Sequence, residues 1–336
     1  MRTHSIKTVL ISVARRIPAR RPLAALALAL VASACAAQDY PSKATHIIIG
    51  SVAGGGPDVA ARSLGAKLTE LLGQPFVVEN RPGAGTTLAS TMVRKAPPDG
   101  YTLTVGDTGQ FEIAPFVYKS LGLDTLKDMT PIALLSSEPL VLVANPKSGI
   151  RTLDELIRVA KANPGKVSYG SSGVGTVHHL SGEALRAGLG LNMVHIPYKG
   201  SGQSVPALLA GDVPVIFAGP GGVASHVRAG TLVVLATTMG TRLQNMPDVP
   251  SLAELIKGYD FQTRFGVMGP AGMQPAVVAK LTGAIKVAVA SPEYFAKYKD
   301  TGINVAYGTP AEYTEFLKVS LRKFEQAVKS ADIKGE

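Results

Sequence analysis

Two short loops carry the residue types best suited to hold a ligand. The first reads Ser51-Val52-Ala53-Gly54-Gly55-Gly56-Pro57-Asp58 and runs into apolar residues at helical spacing. Its glycines let the backbone approach a bound group closely. Pro57 suits a first helical turn, where its missing N–H would be unpaired anyway. The free N–H groups of such a helix start, together with the helix dipole, favour an anion. Asp58 argues against direct contact with phosphate and reads as a helix cap or a group that orients the loop. The second loop, Ser171-Ser172-Gly173-Val174-Gly175-Thr176, also leads into a helical pattern. It repeats the device with hydroxyls, which donate to carboxylate oxygens without adding formal charge. Two such loops facing one cleft suit a small dicarboxylate, or a carboxylate with a polar tail. The plainer reading of each loop is a tight turn that only packs its helix on a sheet.

Other chemistries fit less well. No G-x-x-x-x-G-K-[ST] occurs, and neither loop gives a full G-x-G-x-x-G, so neither a P-loop nor a nicotinamide cofactor is expected. Gly170-Ser171-Ser172-Gly173 approaches the G-x-S-x-G elbow without matching it, and His178 and His179 follow shortly after. A secreted serine hydrolase using Ser171 or Ser172 is therefore the enzymatic alternative. His179 and Glu183 share a helix face at i,i+4. With no H-E-x-x-H in the chain, a packed or solvated pair is favoured over a metal site. His46, His195 and His226 lie in or near predicted strands and helix and read as structural. No metal and no cofactor is expected.

The elements that must position these loops alternate. His46–Gly50 reads as a buried strand, Val59–Leu72 as a helix, Phe76–Glu79 as a strand, Leu88–Lys95 as a helix and Tyr101–Val105 as a strand. This βαβαβ order implies a parallel sheet covered by helices. A second series starts at Pro139–Asn145. It continues through helix Leu153–Ala162 with Thr152 as N-cap, strand Val167–Gly170, helix Val177–Leu189, strand Met193–Pro197, helix Ser204–Ala210 and strand Val213–Phe217. Strands at Leu232–Ala236, Phe265–Met268 and Ile303–Ala306, and helices at Pro275–Ala290, Pro292–Lys299 and Pro310–Lys329, complete the pattern. Two α/β lobes joined by strands enclose a cleft, and ligands of such sheets bind beyond the carboxyl ends of the strands. The hinge strands are expected near Leu140–Val143 and within Leu235–Met268.

Composition narrows the class. The 336 residues are 46% hydrophobic, which is ample for a core and implies about two domains. One Cys excludes an internal disulfide and a multi-cysteine zinc site. The net charge of +10 suggests nucleic acid until its position is considered. Residues 1–37 hold six basic and no acidic residues, which leaves 28 basic against 24 acidic in the other 299. With no basic stripe interleaved with aromatics, a nucleic-acid partner is not expected. Residues 1–37 instead read as a secretory signal: a basic stretch, the apolar run Leu23–Ala37, then small residues. Cleavage after Ala36 or Ala37 is favoured over lipidation of Cys35, which has Ala32 where lipoprotein signals usually carry Leu. The pairs Arg15-Arg16 and Arg20-Arg21 allow a twin-arginine route, though an ordinary signal is favoured.

The segments PSKATHIIIGSVAGGGPDVAAR, GQPFVVENRPGAGTTLAS, APPDGYTLTVGDTG, ANPGKVSYGSSGVGTVHHLSGE, VHIPYKGSG and MPDVPSLAEL run in order from about Tyr40. Together they resemble the Bug solute receptors, the extracytoplasmic substrate-binding proteins of tripartite tricarboxylate transporters. The resemblance implies a two-lobed Venus-flytrap protein, type II-like, with a mainly parallel sheet and flanking helices in each lobe. It divides the chain into the signal (1–37), lobe 1 (38–139 plus about 237–336, with a C-terminal helix that can touch both lobes) and lobe 2 (about 140–236). It also implies a periplasmic monomer that binds a small organic acid between the lobes and delivers it to permease subunits in the membrane. By the same resemblance the ligand carboxylate is held by Val52, Ala53, Gly54 and Gly55, and by Ser171, Ser172, Gly175 and Thr176. Thr108 stands where the family often has a cleft hydroxyl, and Tyr198 of Tyr198-Lys199-Gly200 is expected near the cleft.

Departures from the family pattern matter for the ligand. Ser51 stands where Phe is usual, and Pro57 where Thr or Ser is usual. Ala218 and Gly219 end a segment that often closes with an acidic or amide side chain facing the cleft. Arg264 replaces a frequent aromatic, and is expected in a salt bridge between lobes or against a second ligand carboxylate. A larger, less polar pocket around Ser51, Ala218 and Gly219 favours a bulkier or more apolar acid than a simple amino acid, such as an aromatic carboxylate, beside the dicarboxylate that two facing helix starts suit. A receptor that signals to a sensor kinase instead of feeding a permease fits the same residues.

Overall fold

A computed structural model describes residues 40–53, 56–83, 86–296, 298 and 304–333. The expected signal segment 1–37, with Cys35, lies outside the described residues, as do Gly54 and Gly55. Eleven strands are present among those described: β1 Thr45–Ile49, β2 Phe76–Asn80, β3 Thr102–Asp107, β4 Met129–Pro139, β5 Val141–Ala144, β6 Val167–Ser171, β7 Met193–Pro197, β8 Val215–Ala218, β9 Val233–Thr237, β10 Gln262–Pro270 and β11 Asn304–Gly308. The longer helices are α1 Gly56–Leu72, α2 Thr87–Arg94, α3 Leu153–Ala162, α4 Val177–Leu189, α5 Ser201–Ala210, α6 Pro220–Arg228, α7 Pro275–Val289 and α8 Pro310–Ser330.

The strands form two sheets, one per lobe. The first has the order β11-β4-β10-β3-β1-β2 and the second β7-β6-β8-β5-β9. The βαβ units give the expected parallel pairs, β1 with β2 and β3, and β6 with β7 and β8. The remaining strands pair antiparallel: β10 with β3 and β4, β11 with β4, and β5 with β8 and β9. Both sheets are therefore mixed, because the strands that carry the chain between lobes enter each sheet from the opposite direction.

The chain crosses between sheets at Leu140 and again between Thr237 and Gln262. Val141–Val143, expected at the hinge, lie inside the second sheet, paired with β8 and β9. Thr238 ties the two crossings together. Its N–H donates to Leu140 O at 2.9 Å, its hydroxyl to Phe261 O at 2.5 Å, and Leu140 N–H donates back to its Oγ1 at 3.1 Å.

Several elements follow directly from local chemistry. Thr152 caps α3 in a full capping box with Glu155, and Thr309 caps α8 with Glu312. Pro220, Pro275 and Pro310 occupy first helical positions. Other elements have no clear signal in the sequence, three of which bear on the site. β4 contains Pro131 and the polar run Ser136-Ser137-Glu138, which hide a strand that tertiary pairing then enforces. α6 begins Pro-Gly-Gly, which reads as a turn, and it packs through Val223 on the second sheet. Gly109–Ile113 forms a wide helical turn after β3.

α8 lies across both lobes. Tyr313 and Leu317 pack with Ile48, Phe111 and Met268 of the first lobe, whereas Phe324 and Val328 join the core under the second sheet. No helix among the described residues is long and apolar enough to cross a membrane.

Candidate functional site

The loop after β1 is held from beneath by Asn80, the last residue of β2 and the register partner of Ile49. Its Nδ2 donates to Ser51 O and to Asp58 Oδ1, each at 3.0 Å. Arg62 completes the set, donating from Nε to Asp58 at 2.9 Å and from its terminal nitrogen to Asn80 Oδ1 at 2.8 Å. Asp58, in the first turn of α1, is thus buried and committed to orienting the loop. Val52, 65% exposed, and Ala53 stand out to solvent. Ser51 Oγ is buried and has no hydrogen-bond partner. Phe265 on β10 closes up to the start of α1: a Cβ at Gly56 would lie 3.0 Å from its ring.

The loop after β6 is braced by imidazoles. Ser171 is fully buried, and its Oγ accepts from Gly173 N–H at 3.1 Å and shares a hydrogen bond of 2.6 Å with His195 Nε2. Ser172 Oγ shares one of 2.5 Å with His178 Nδ1. Thr176 is the N-cap of α4: its hydroxyl accepts from His179 N–H at 3.3 Å and donates to Gly173 O at 2.8 Å. Gly175 N–H donates to His179 Nδ1 at 3.2 Å, which places the imidazole proton on Nε2, facing Glu183 at 3.8 Å. Gly175 also has φ +73°, and a Cβ there would sit 3.3 Å from both methyls of Val117, in the segment between β3 and β4. The loop therefore touches the other lobe where it turns.

Behind the loop, three rings stack. His179 lies 3.7 Å from His195 between centroids, and His195 lies 5.0 Å from Tyr169. Burial pushes His178 and His179 down to about 4 and His195 to about 3, so all three are neutral near pH 7. Tyr169 donates to Glu183 at 2.6 Å, and Arg186 binds the same carboxylate at 2.7 Å. Glu183 is thereby engaged on both sides, and among the described residues no group of three His, Cys, Asp or Glu converges as a metal site would require.

Other sequence-selected residues have different settings. Thr108 is buried, its hydroxyl donating to Gln262 O at 3.3 Å and accepting from Arg264 N–H at 2.9 Å, so it sews the end of β3 to β10. Tyr198 lays its ring against Gly170 and packs with the cluster of Val213 and Ile216. Arg264 stacks over Phe316 of α8 at 4.0 Å, and Glu112 attracts it electrostatically. Ala218 is buried at the end of β8, and Gly219 caps α6.

Two carboxyls near the crossing escaped the sequence reading. Asp107 ends β3 and accepts from Gln110 N–H at 3.0 Å. Glu138 stands one residue before the last of β4, beside Gly219. Burial raises both, Glu138 to about 7 with help from Asp107. For Glu138 the signal in the sequence is an isolated acid between Ser136-Ser137 and Pro139-Leu140, which carries no strand pattern of its own.

The comparisons with known proteins agree with this architecture. Residues 60–333 match the family model described as "Tripartite tricarboxylate transporter family receptor". Protein BugT of Bordetella pertussis is 34% identical over 315 residues, covering 92% of this chain and 95% of its own. An R. palustris protein solved with adipate superposes with a TM-score of 0.79 at 28% identity, over 88% of this chain and 99% of its own. MatC from Rhodopseudomonas palustris, solved with bound malate, gives 0.76 at 28% identity, over 86% and 100%.

Proposed function

The chain belongs to the tripartite tricarboxylate transporter receptor family, and from that premise we propose that it captures a small organic carboxylate between its lobes and delivers it to the family's membrane permease. The favoured ligand is a dicarboxylate or an aromatic carboxylate. One observation carries this reading: the loops at the carboxyl ends of β1 and β6 each open a helix, α1 and α4, and the second presses on Val117 of the opposite lobe. Backbone N–H groups at both helix starts, Ser172 and the unpartnered Ser51 Oγ supply donors for carboxylate oxygens. Val52, Ala53, Gly175 and Thr176 contribute backbone to the same cradle, with Ala218 and Gly219 lining its far side. The adipate and malate bound by the two solved relatives support this ligand class.

The proposed mechanism is binding followed by closure. An acid that bridges both loops gains contacts only in the closed form, and Thr238 lies where the connecting strands absorb the rotation. The protein works in the periplasm after removal of its signal, as a monomer that meets permease subunits at the membrane.

Serine hydrolysis is the competing reading, since two Ser–His pairs exist. Neither suits it. Ser171 is wholly buried, and imidazoles held near 3 and 4 are weak general bases at neutral pH. A thermal-shift screen of residues 38–336 against aliphatic and aromatic carboxylates tests the proposal. A ligand at about 100 times Kd adds about 2.7 kcal/mol, a rise of several degrees. A flat panel with intact folding, or turnover of an ester lost on changing both serines, would overturn it.

A further inference from the structure

The crossing between lobes holds a carboxyl that the two loops do not explain. Glu138 lies at the end of β4, two residues before Leu140, and pairs with Thr263 of β10. Ser136 and Asp107 both sit opposite Phe265, so Asp107, Phe265 and Glu138 share one face of the sheet. That is the face on which Phe265 meets the start of α1. From the other lobe, Gly219 closes over the same carboxyl: a methyl added there would lie 2.8 Å from Glu138 Cδ and closer still to Oε1. Gly219 has ordinary extended angles, φ −67° and ψ 139°, so what excludes a side chain is the space and not the backbone. Glu138 therefore occupies the room a side chain at 219 would take. Among the described residues no protein group hydrogen-bonds it. The carboxyl is half-buried at the crossing between the lobes and has no protein partner there.

We propose that Glu138 is a ligand-binding residue that donates a hydrogen bond to an oxygen at the end of the bound acid remote from the two loops. The inference rests on the carboxylate-receptor reading and adds its second anchor. It selects an acid with acceptors at both ends, a dicarboxylate, over a monocarboxylate of the same length. The charged neighbour facing Glu138 is Asp107 on β3, which favours its neutral form. β10 offers Thr263, and α6 opens with Gly219, Pro220, Gly221 and Gly222, none of which titrates. Arg264 is turned to the opposite face over Phe316, and Asp58 is bound to Arg62 and Asn80. With the Glu138 carboxyl raised to about 7, binding above that pH must take up a proton, and affinity falls as pH rises.

The experiment is isothermal titration of the processed chain with two probe pairs, adipate against hexanoate and terephthalate against benzoate, at pH 6 and pH 8. At least one dicarboxylate binds more tightly than its partner, and its Kd rises about tenfold between the two pH values. Glu138→Gln, which keeps a donor, removes that pH dependence. Glu138→Ala weakens the dicarboxylate and leaves the monocarboxylate unchanged. Gly219→Ala, which displaces the carboxyl without touching its chemistry, reproduces the loss should either Glu138 variant fold poorly. PH-independent affinity that Glu138→Ala does not alter, or affinity that rises with pH, overturns the assignment while leaving the receptor reading intact. Binding of only the monocarboxylates does the same. Failure of all four probes and of every acid in the wider carboxylate panel overturns the receptor reading, and this assignment with it.

Discussion

Gly175→Ala separates the cost of folding the second loop from the cost of closing the lobes. Gly175 adopts φ +73°, where an alanine is strained by about 1–2 kcal/mol. That strain is present whether or not ligand is bound, so it lowers stability. At roughly 2–4 °C per kcal/mol for a chain of this size, the melting temperature drops by about 2–8 °C. The new methyl would also lie 3.3 Å from both Val117 methyls, close enough that Val117 must shift by a few tenths of an ångström. Overpacking of this kind costs about 1 kcal/mol, and it applies only where the lobes meet. Kd therefore rises about fivefold. Adding Val117→Ala removes the crowding without relieving the backbone, so Kd recovers while the melting temperature stays low. Calorimetry with the acid found in the screen and a thermal melt on the same samples supply both readouts. A lower melting temperature with unchanged Kd would show that the contact with Val117 plays no part in closure. Failure of the double variant to recover Kd would refute the division into two costs.

Two further outcomes follow from buried groups. Glu112 is buried and raised to about 7 by desolvation, against the opposing pull of Ser320 and Arg264. Its native carboxyl binds a proton more tightly than the unfolded one near 4.5, so the stability it contributes is full below about 4.5 and is lost as pH rises towards 7. Glu112→Gln flattens that part of the stability profile, by on the order of 3 kcal/mol, in denaturant melts from pH 4.5 to 8. An unchanged slope would mean that the carboxyl is ionised throughout. Asn80→Ala removes both hydrogen bonds that its amide donates beneath the first loop, one of them to a buried carboxylate, and weakens ligand binding by about five- to tenfold alongside a stability loss of about 1–3 kcal/mol. An equal loss of stability with unaltered Kd would place Asn80 in the scaffold and not in the site.

The two loops were legible in the sequence because their chemistry is local. Glycines, hydroxyls and a helix-opening Pro or Thr determine a helix start whatever surrounds it, and Thr152, Thr176 and Thr309 cap their helices through neighbours within three residues. The βαβ strands were legible for the same reason, as apolar runs between turn signals. β4 was not, because Pro131 and Ser136-Ser137-Glu138 break its pattern and only pairing with β10 and β11 makes it a strand. α6 was hidden by Pro-Gly-Gly until Val223 found the second sheet.

What the residues determined alone was a chain of α/β units with two glycine- and hydroxyl-rich loops that open helices. Tertiary structure decided which groups meet across the lobes. Thr108, expected as a cleft hydroxyl, is bonded to Gln262 and Arg264 of β10, residues more than 150 positions away, and to Glu112. Arg264 turns towards Phe316 of α8, and Glu138, in a stretch that reads as a loop, comes to rest against Gly219. Capping and periodicity act over a few residues and can be read along the chain. Contacts between strand ends depend on register and crossover, and these exist only once both sheets have formed.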